Sequence, residues 1–146
     1  MRVLVFLFQL VLSLCSATTD LRDLRPHEVA LLQFDSRPLE DYWLASAMWN
    51  QDYAFRHGHK YLYYTLQQGL NCHYGDTELS DAWCKVKAML QANNDHPSVK
   101  LFIYMDSDAV VDRAFENVSF VSFISSVQQR LIWDPSEKPM VFNQDG

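Results

Sequence analysis

Basic residues are in short supply. Twelve Lys and Arg stand against 18 Asp and Glu, a formal charge of −6. A nucleic-acid surface needs a basic stripe, so this charge argues against that class of partner. The N-terminal apolar run, Val3 to Leu14, falls short of the roughly 20 residues that span a bilayer. Cysteine is scarce too. Three are present, too few for a disulfide framework. There are no internal repeats and no low-complexity stretches. What is abundant is core-forming material: 49% of the 146 residues are apolar and 14% aromatic. That composition belongs to one short folded domain and not to a disordered tail.

The first residues read as a targeting segment. Arg2 gives a small positive start, Val3 to Leu14 is interrupted only by Gln9 and Ser13, and Cys15-Ser16-Ala17 supplies small residues at a cleavage site. This is the tripartite pattern of a secretory signal over residues 1–17, with a short uncleaved membrane anchor as the rival. With the signal removed, Cys72 and Cys84 remain. They could pair across a short loop in an oxidising compartment or stay as buried thiols. Asn117-Val118-Ser119 is a glycosylation sequon, consistent with a secretory route.

Residues 18–27 are polar, end near Pro26, and read as a linker. From residue 28 the chain alternates. Glu28 to Phe34 has strand length and stops at Asp35-Ser36-Arg37-Pro38, a helix-start signature. Leu39 to His57 has a helical period, with Leu44, Ala47, Met48, Gln51 and Phe55 on one stripe and Ala54 beside it. Gly58 sits where a glycine stops a helix. Lys60 to Leu66 is a second, aromatic strand, in which Tyr61, Tyr63 and Tyr64 read as core. Gln67 to Gly75 reads as loop. A second helix is expected from Asp76 or Thr77, with Leu79, Ala82, Trp83, Val86, Met89 and Leu90 facing inward. Val99 to Met105 is the third strand. Phe115 to Leu131 reads as a third helix, its stripe formed by Val121, Ile124, Val127 and Leu131. Pro139 to Asn143 reads as a fourth strand. Strand–helix alternation implies a parallel sheet with helices against it, an α/β fold whose ligands sit at the carboxyl ends of the strands.

Asp106-Ser107-Asp108 closes the third strand. On an extended backbone, residues two apart point to the same side. Two carboxylates held so close call for a cation between them. Oxygen ligands suit Mg²⁺ or Mn²⁺, and such an ion can neutralise a departing diphosphate. The competing reading is a solvated turn. Against it, apolar residues flank the acids on both sides, from Leu101 to Met105 and from Ala109 to Val111. Two smaller features are simpler. His57 and His59 flank Gly58 and read as cap-region residues, with a metal site as the alternative. A calcium loop of the EF-hand kind fails, because Val110 and Val111 stand where an oxygen ligand and a glycine are needed.

The stretch from Leu101 to Val111 resembles the Asp-x-Asp region of GT-A glycosyltransferases, specifically the galactosyl-, mannosyl- and xylosyltransferase group called glycosyltransferase family 34. Two further motifs agree in order: Tyr53-Ala54 with His57-Gly58, and Trp83-Cys84-Lys85 on a helix ending in His96-Pro97. The resemblance covers about residues 28 to 112. It implies a GT-A, Rossmann-like nucleotide-diphospho-sugar transferase fold, a nucleotide-diphosphate sugar as donor, a glycan acceptor, and Mn²⁺ or Mg²⁺ as cofactor. By it, Asp108 ligates the metal directly, while Asp106 binds the donor's ribose or sugar or reaches the metal through water. Asp35 lies near the nucleotide, and Lys85 offers a cation to the diphosphate. Two plainer readings stay open, Asp35 as a cap for the helix at Pro38 and Lys85 as an exposed helix lysine.

Transferases of this kind carry a second half with the acceptor site and a further metal ligand, so residues 28–146 are expected to form a partial domain. Two other functions stay open. One is a secreted, non-catalytic sugar- or nucleotide-binding remnant. The other is a haloacid-dehalogenase-like phosphatase, in which Asp106 would be the nucleophile and Asp108 the acid and base. The secretory signal and sequon lead us to expect the Golgi lumen or membrane, or secretion if the signal is cleaved.

Overall fold

The computed structural model describes residues 23–37, 40–66, 72–74, 76–78 and 80–131. A short 3-10 turn, Pro26–Glu28, leads into β1 (Val29–Asp35). Then come α1 (Asp41–Arg56), β2 (Lys60–Thr65), a two-residue pair β3 (His73–Tyr74) and β4 (Thr77–Glu78), α2 (Asp81–Asp95), β5 (Leu101–Asp106), a second 3-10 turn at Arg113–Phe115, and α3 (Phe120–Leu131). The strand–helix alternation read from the sequence is present. The predicted strand at Pro139 to Asn143 and the residues 1–17 lie outside the described residues. No helix among the described residues is long and apolar enough to cross a membrane.

The sheet runs β2-β1-β5, all parallel. From β1 the chain passes through α1 to β2 on one side. It then returns through α2 to β5 on the other side of β1. The crevice between the carboxyl ends of β1 and β5 is therefore where the direction of winding reverses, the place where open α/β sheets hold ligands. The register pairs Phe34 with Asp106, so Asp35 and Ser107 emerge side by side at that rim.

Period-two alternation divides the sheet residues between two cores. Val29, Leu31, Leu101, Ile103 and Met105 pack with Tyr53 and Ala54 of α1 and Phe120 and Ile124 of α3. Ala30, Leu32, Phe34, Phe102 and Tyr104 pack with Cys84, Ala88, Met89 and Ala92 of α2. All seven β1 residues are buried, because β1 is the middle strand with helices against both faces. Leu24 belongs to the first core, so the stretch read as linker already packs by that point. Buried Glu28 accepts from Arg25 and sits 2.9 Å from Lys100 Nζ, tying the starts of β1 and β5 together.

α1 ends as predicted at Gly58, whose φ of +69° is the left-handed conformation glycine tolerates. His59 N donates to Ala54 O at 2.8 Å and Gly58 N to Phe55 O at 3.1 Å, the two bonds of a Schellman cap.

Several expectations are corrected. α1 begins at Asp41, past the proline that marked its predicted start. α2 begins at Asp81, because Thr77–Glu78 pairs antiparallel with His73–Tyr74 instead of joining the helix. α3 begins at Phe120, after the separate turn at Arg113–Phe115. Trp83 is 63% exposed and Leu90 is also exposed, so neither is core. Cys84 and Ala88, smaller residues beside them, take the place against the sheet. Among the described residues β2 is an edge strand, which leaves Tyr61, Tyr63 and Tyr64 only partly buried.

The largest correction concerns α1. Met48 and Phe55 point to solvent, Phe55 at 82% exposure, with Leu44 and Gln51 also exposed. The buried face is Ser46, Ala47, Asn50, Tyr53 and Ala54. A polar helix face is buried here because it has backbone groups to satisfy.

Candidate functional site at the carboxyl rim

Asp106-Ser107-Asp108 is a tight turn, closed by Ala109 N donating to Asp106 O at 2.9 Å. The extended-backbone argument for two parallel carboxylates therefore does not apply. The turn sorts the triplet differently: Ser107 is buried, Asp106 is half-exposed and Asp108 is exposed. Both carboxylates reach the surface of the rim, and the serine anchors them from beneath.

The anchor is Asp35. Ser107 Oγ donates to Asp35 Oδ2 in a short hydrogen bond. Arg37 holds the same carboxylate with its backbone N–H at 2.8 Å, Nε at 2.8 Å and Nη2 at 2.7 Å. Burial works to raise the Asp35 pKa, but the Arg37 and Ser107 hydrogen bonds outweigh it and hold the group below its usual value. The Arg37 guanidinium also lies 3.5 Å from the centroid of the Trp43 ring. Asp35 is thus buried and does not cap α1, which begins at Asp41. It links the end of β1 to the Asp-x-Asp turn and orients Arg37 above the crevice.

Lys85 does reach the turn. Its Nζ lies 3.5 Å from Asp106 Oδ1 and 5.7 Å from the Tyr104 ring centroid. Tyr104, beneath them, has its pKa raised by burial and by the negative charge of Asp106. Alternation along β5 puts Tyr104 and Asp106 on the α2 side of the sheet, which is why Lys85 can meet them.

Sequence reasoning missed the groups that fix the segment after the turn. Three donors converge on one carbonyl: Asn50 Nδ2 reaches Ala109 O at 2.8 Å, Ser46 Oγ at 3.0 Å and Gln33 Nε2 at 3.4 Å. Gln33 also donates to Asp106 O at 3.0 Å and accepts from Tyr61 Oη at 2.8 Å. Asn50 Oδ1 accepts from Val111 N at 3.0 Å. Tyr42 Oη donates to Asp108 O and Trp49 Nε1 to Val111 O, each at 2.9 Å. Further along the helix, Tyr53 Oη donates to Val118 O at 2.6 Å and His57 Nε2 to Glu116 O at 2.8 Å. Residues 42, 46, 49, 50, 53 and 57 form one helical stripe, three and four apart. The signal was in the sequence as a periodic polar–aromatic face, hidden by the more hydrophobic face opposite.

His59 Nδ1 donates to Pro26 O at 2.9 Å, and burial lowers its pKa. His57 and His59 thus both serve backbone carbonyls in the cap region. Tyr63 Oη, on the α1 side of β2, is buried without a hydrogen-bond partner among the described residues. Cys72 and Cys84 are joined in a disulfide, Cα–Cα 5.3 Å, which ties residue 72 to the first turn of α2 directly before Lys85. No three His, Cys, Asp or Glu side chains among the described residues converge as a metal site. Asn117 is exposed.

Residues 28–133 match the family model of the galactosyl transferase GMA12/MNN10 family. The chain belongs to that family. The match spans the β1 rim, α1, Lys85 and the Asp-x-Asp turn. A solved glycosyltransferase involved in the glycosylation of the major capsid of PBCV-1 is similar in fold, with TM-score 0.52 and 21% identity. The similarity covers 65% of this chain and 44% of that one, so the chain spans less than half the length of that protein. No curated protein sequence matches the chain. The parallel sheet with helices on both faces is a GT-A-like fold.

Proposed function

We propose that this domain binds a nucleotide-diphosphate sugar at the β1/β5 rim and takes part in moving its hexose or pentose to a glycan acceptor. The observation that carries the reading is the Asp106–Asp108 turn, anchored through Ser107 to Asp35 and clamped from α1, with Lys85 beside it. A turn fixed this thoroughly presents its two carboxylates at little further ordering cost, which is what preorganised charge recognition requires.

Asp108 and Asp106 provide hard oxygen donors of the kind that hold Mn²⁺ or Mg²⁺. Two carboxylates do not complete a coordination shell, so the remaining positions would go to diphosphate oxygens and water. When bound, the ion would supply charge neutralisation for the leaving diphosphate. Lys85 Nζ, a point charge on the same rim, would meet diphosphate or sugar oxygens once Asp106 turns to the ion. In this reading Arg37, stacked on Trp43, and the Tyr63 hydroxyl, without a hydrogen-bond partner among the described residues, would face the nucleoside. A buried hydroxyl there can bond a ribose or base oxygen without displacing a protein contact. We further propose that the protein works in the secretory lumen, on the strength of its N-terminal signal pattern.

The test is thermal stabilisation by uridine or guanosine diphosphate with Mn²⁺. A rise in melting temperature is expected with nucleotide and metal together, and not with either alone. It should vanish in Asp108→Ala, whose exposed side chain contributes little to the fold. Equal stabilisation of the wild type and Asp108→Ala would remove the Asp-x-Asp turn from the donor site.

A further inference from the structure

The chain between the Asp-x-Asp turn and α3 carries the sequon Asn117-Val118-Ser119, which the donor site does not use. Val118 N donates to Phe115 O at 2.9 Å, so Phe115 to Val118 form one tight turn with Asn117 at its third position. The backbone on either side of Asn117 is fixed to α1, by His57 at Glu116 O and by Tyr53 at Val118 O. Asn117 itself is exposed, and its side chain has no hydrogen bond within the described residues. Phe115, two residues earlier in the same turn, is 53% exposed, and Val118 beside it is exposed too. An uncovered aromatic ring stands within one turn of a free amide.

We propose that Asn117 bears an N-linked glycan whose first N-acetylhexosamine packs against Phe115. The polarised C–H edges of a sugar ring suit the negative face of an aromatic ring, and burying that face removes apolar area from water. The Asn117 side-chain amide nitrogen forms the new bond to C1 of the reducing-end sugar of a polyprenyl-diphosphate oligosaccharide. The bond from that C1 to the diphosphate oxygen breaks, the polyprenyl diphosphate leaves with the electron pair, and one amide proton passes to a base of the lumenal oligosaccharyltransferase. The fold also sets the timing. Ser119 Oγ accepts from Ser122 N at 3.1 Å and lies 2.9 Å from Ser122 Oγ, capping α3. The sequon hydroxyl is free for recognition only before that cap forms, so the transfer precedes docking of α3. The inference rests on the secretory signal and is independent of the donor-site reading.

The experiment expresses the full chain in a eukaryotic cell with an intact N-glycosylation pathway. Peptide N-glycosidase in heavy-oxygen water should lower its mass and mark residue 117 as a labelled aspartate. Asn117→Gln should abolish the shift. The glycosylated form should melt about 3 °C above the enzymatically deglycosylated form, the scale of one aromatic contact. That difference should disappear in Phe115→Ala, an exposed position whose loss the fold tolerates. An unmodified Asn117 in the wild-type chain overturns the proposal. A glycan whose melting-temperature benefit survives Phe115→Ala overturns the packing half of it.

Discussion

Asn50 offers the sharpest test of how the candidate site is held. Its amide donates to Ala109 O at 2.8 Å and its carbonyl accepts from Val111 N at 3.0 Å. Asn50→Ala leaves the Ala109 carbonyl with Ser46 and Gln33, but leaves the buried Val111 N–H without an acceptor. An orphaned buried donor costs about 1–3 kcal/mol. The void left by the amide adds about 1 kcal/mol. The expected loss is about 3 kcal/mol, or a fall of roughly 10 °C in melting temperature for a chain of this size. Met48→Ala is the matched control. It lies on the helix face the hydrophobic pattern favoured, yet Met48 is 60% exposed and its truncation should cost under about 0.5 kcal/mol. Urea unfolding followed by tryptophan fluorescence reads both variants. Asn50→Asp adds a pH signature. The carboxylate keeps the bond from Val111 N but faces the Ala109 carbonyl, so burial and that oxygen raise its pKa. A group with a raised native pKa is destabilised most above that pKa and relieved as pH falls toward the unfolded value near 3.9. The stability gap between wild type and Asn50→Asp should therefore narrow between about pH 8 and pH 5. A Met48→Ala cost equal to that of Asn50→Ala, or a gap independent of pH, would refute the clamp.

Four further outcomes follow from other contacts. Replacing both Cys72 and Cys84 by alanine releases a short loop and should lower stability by about 3 kcal/mol, with a reductant producing a similar fall in the wild type by denaturant titration. Lys85→Met should change stability by less than about 1 kcal/mol, because its pair with Asp106 is half-exposed, yet weaken metal-dependent nucleotide-diphosphate binding about tenfold by calorimetry. Native-state stability should fall in two stages on acidification. His59, whose pKa is lowered by burial, contributes stability that is lost as pH drops below about 6.5; Asp35 and Glu28, held low by their hydrogen bonds, contribute stability lost below about pH 4. A pH series of urea midpoints on the wild type and His59→Gln checks this, since the substitution should remove the upper stage alone. Trp83→Ser should leave the melting temperature within about 2 °C of wild type, as expected for an exposed side chain and not for a core one.

How much of this was legible in the sequence depends on what each residue does. β1 and β5 were readable because a strand buried on both faces is a continuous apolar run. Runs such as Val29 to Phe34 and Leu101 to Met105 are too short for a buried helix and too apolar for a loop. Gly58 was readable because a positive φ at a helix end has a specific residue preference. Asp106, Asp108 and Lys85 were readable through the ordered motifs they share with a family, and the structure puts all three at one rim. Arg37 was not, since it acts through Asp35, and a salt bridge two residues apart has no periodic signature.

α1 shows why the rest was hidden. Hydrophobic periodicity assumes that the buried face of a helix is the apolar one. That holds when the helix packs on side chains, as Cys84, Ala88 and Ala92 do on the far face of the sheet. α1 joins the apolar core through Tyr53 and Ala54. Elsewhere it covers a stretch of irregular backbone from Asp108 to Val118, whose carbonyls need donors. A buried carbonyl without a donor costs about as much as a lost hydrogen bond, so Ser46, Asn50 and Tyr53 belong inside, and the apolar Met48 and Phe55 are left outside. The same requirement bears on the rim. The irregular backbone lies at the carboxyl rim of a parallel sheet, where the Asp-x-Asp turn emerges, and a helix that satisfies backbone groups holds that turn more specifically than one that only excludes water. The polar stripe of α1 and the acidic turn are therefore parts of one device. A periodic polar face directly after the first strand of such a fold, read together with an Asp-x-Asp further along, is the sequence pattern that would have revealed it.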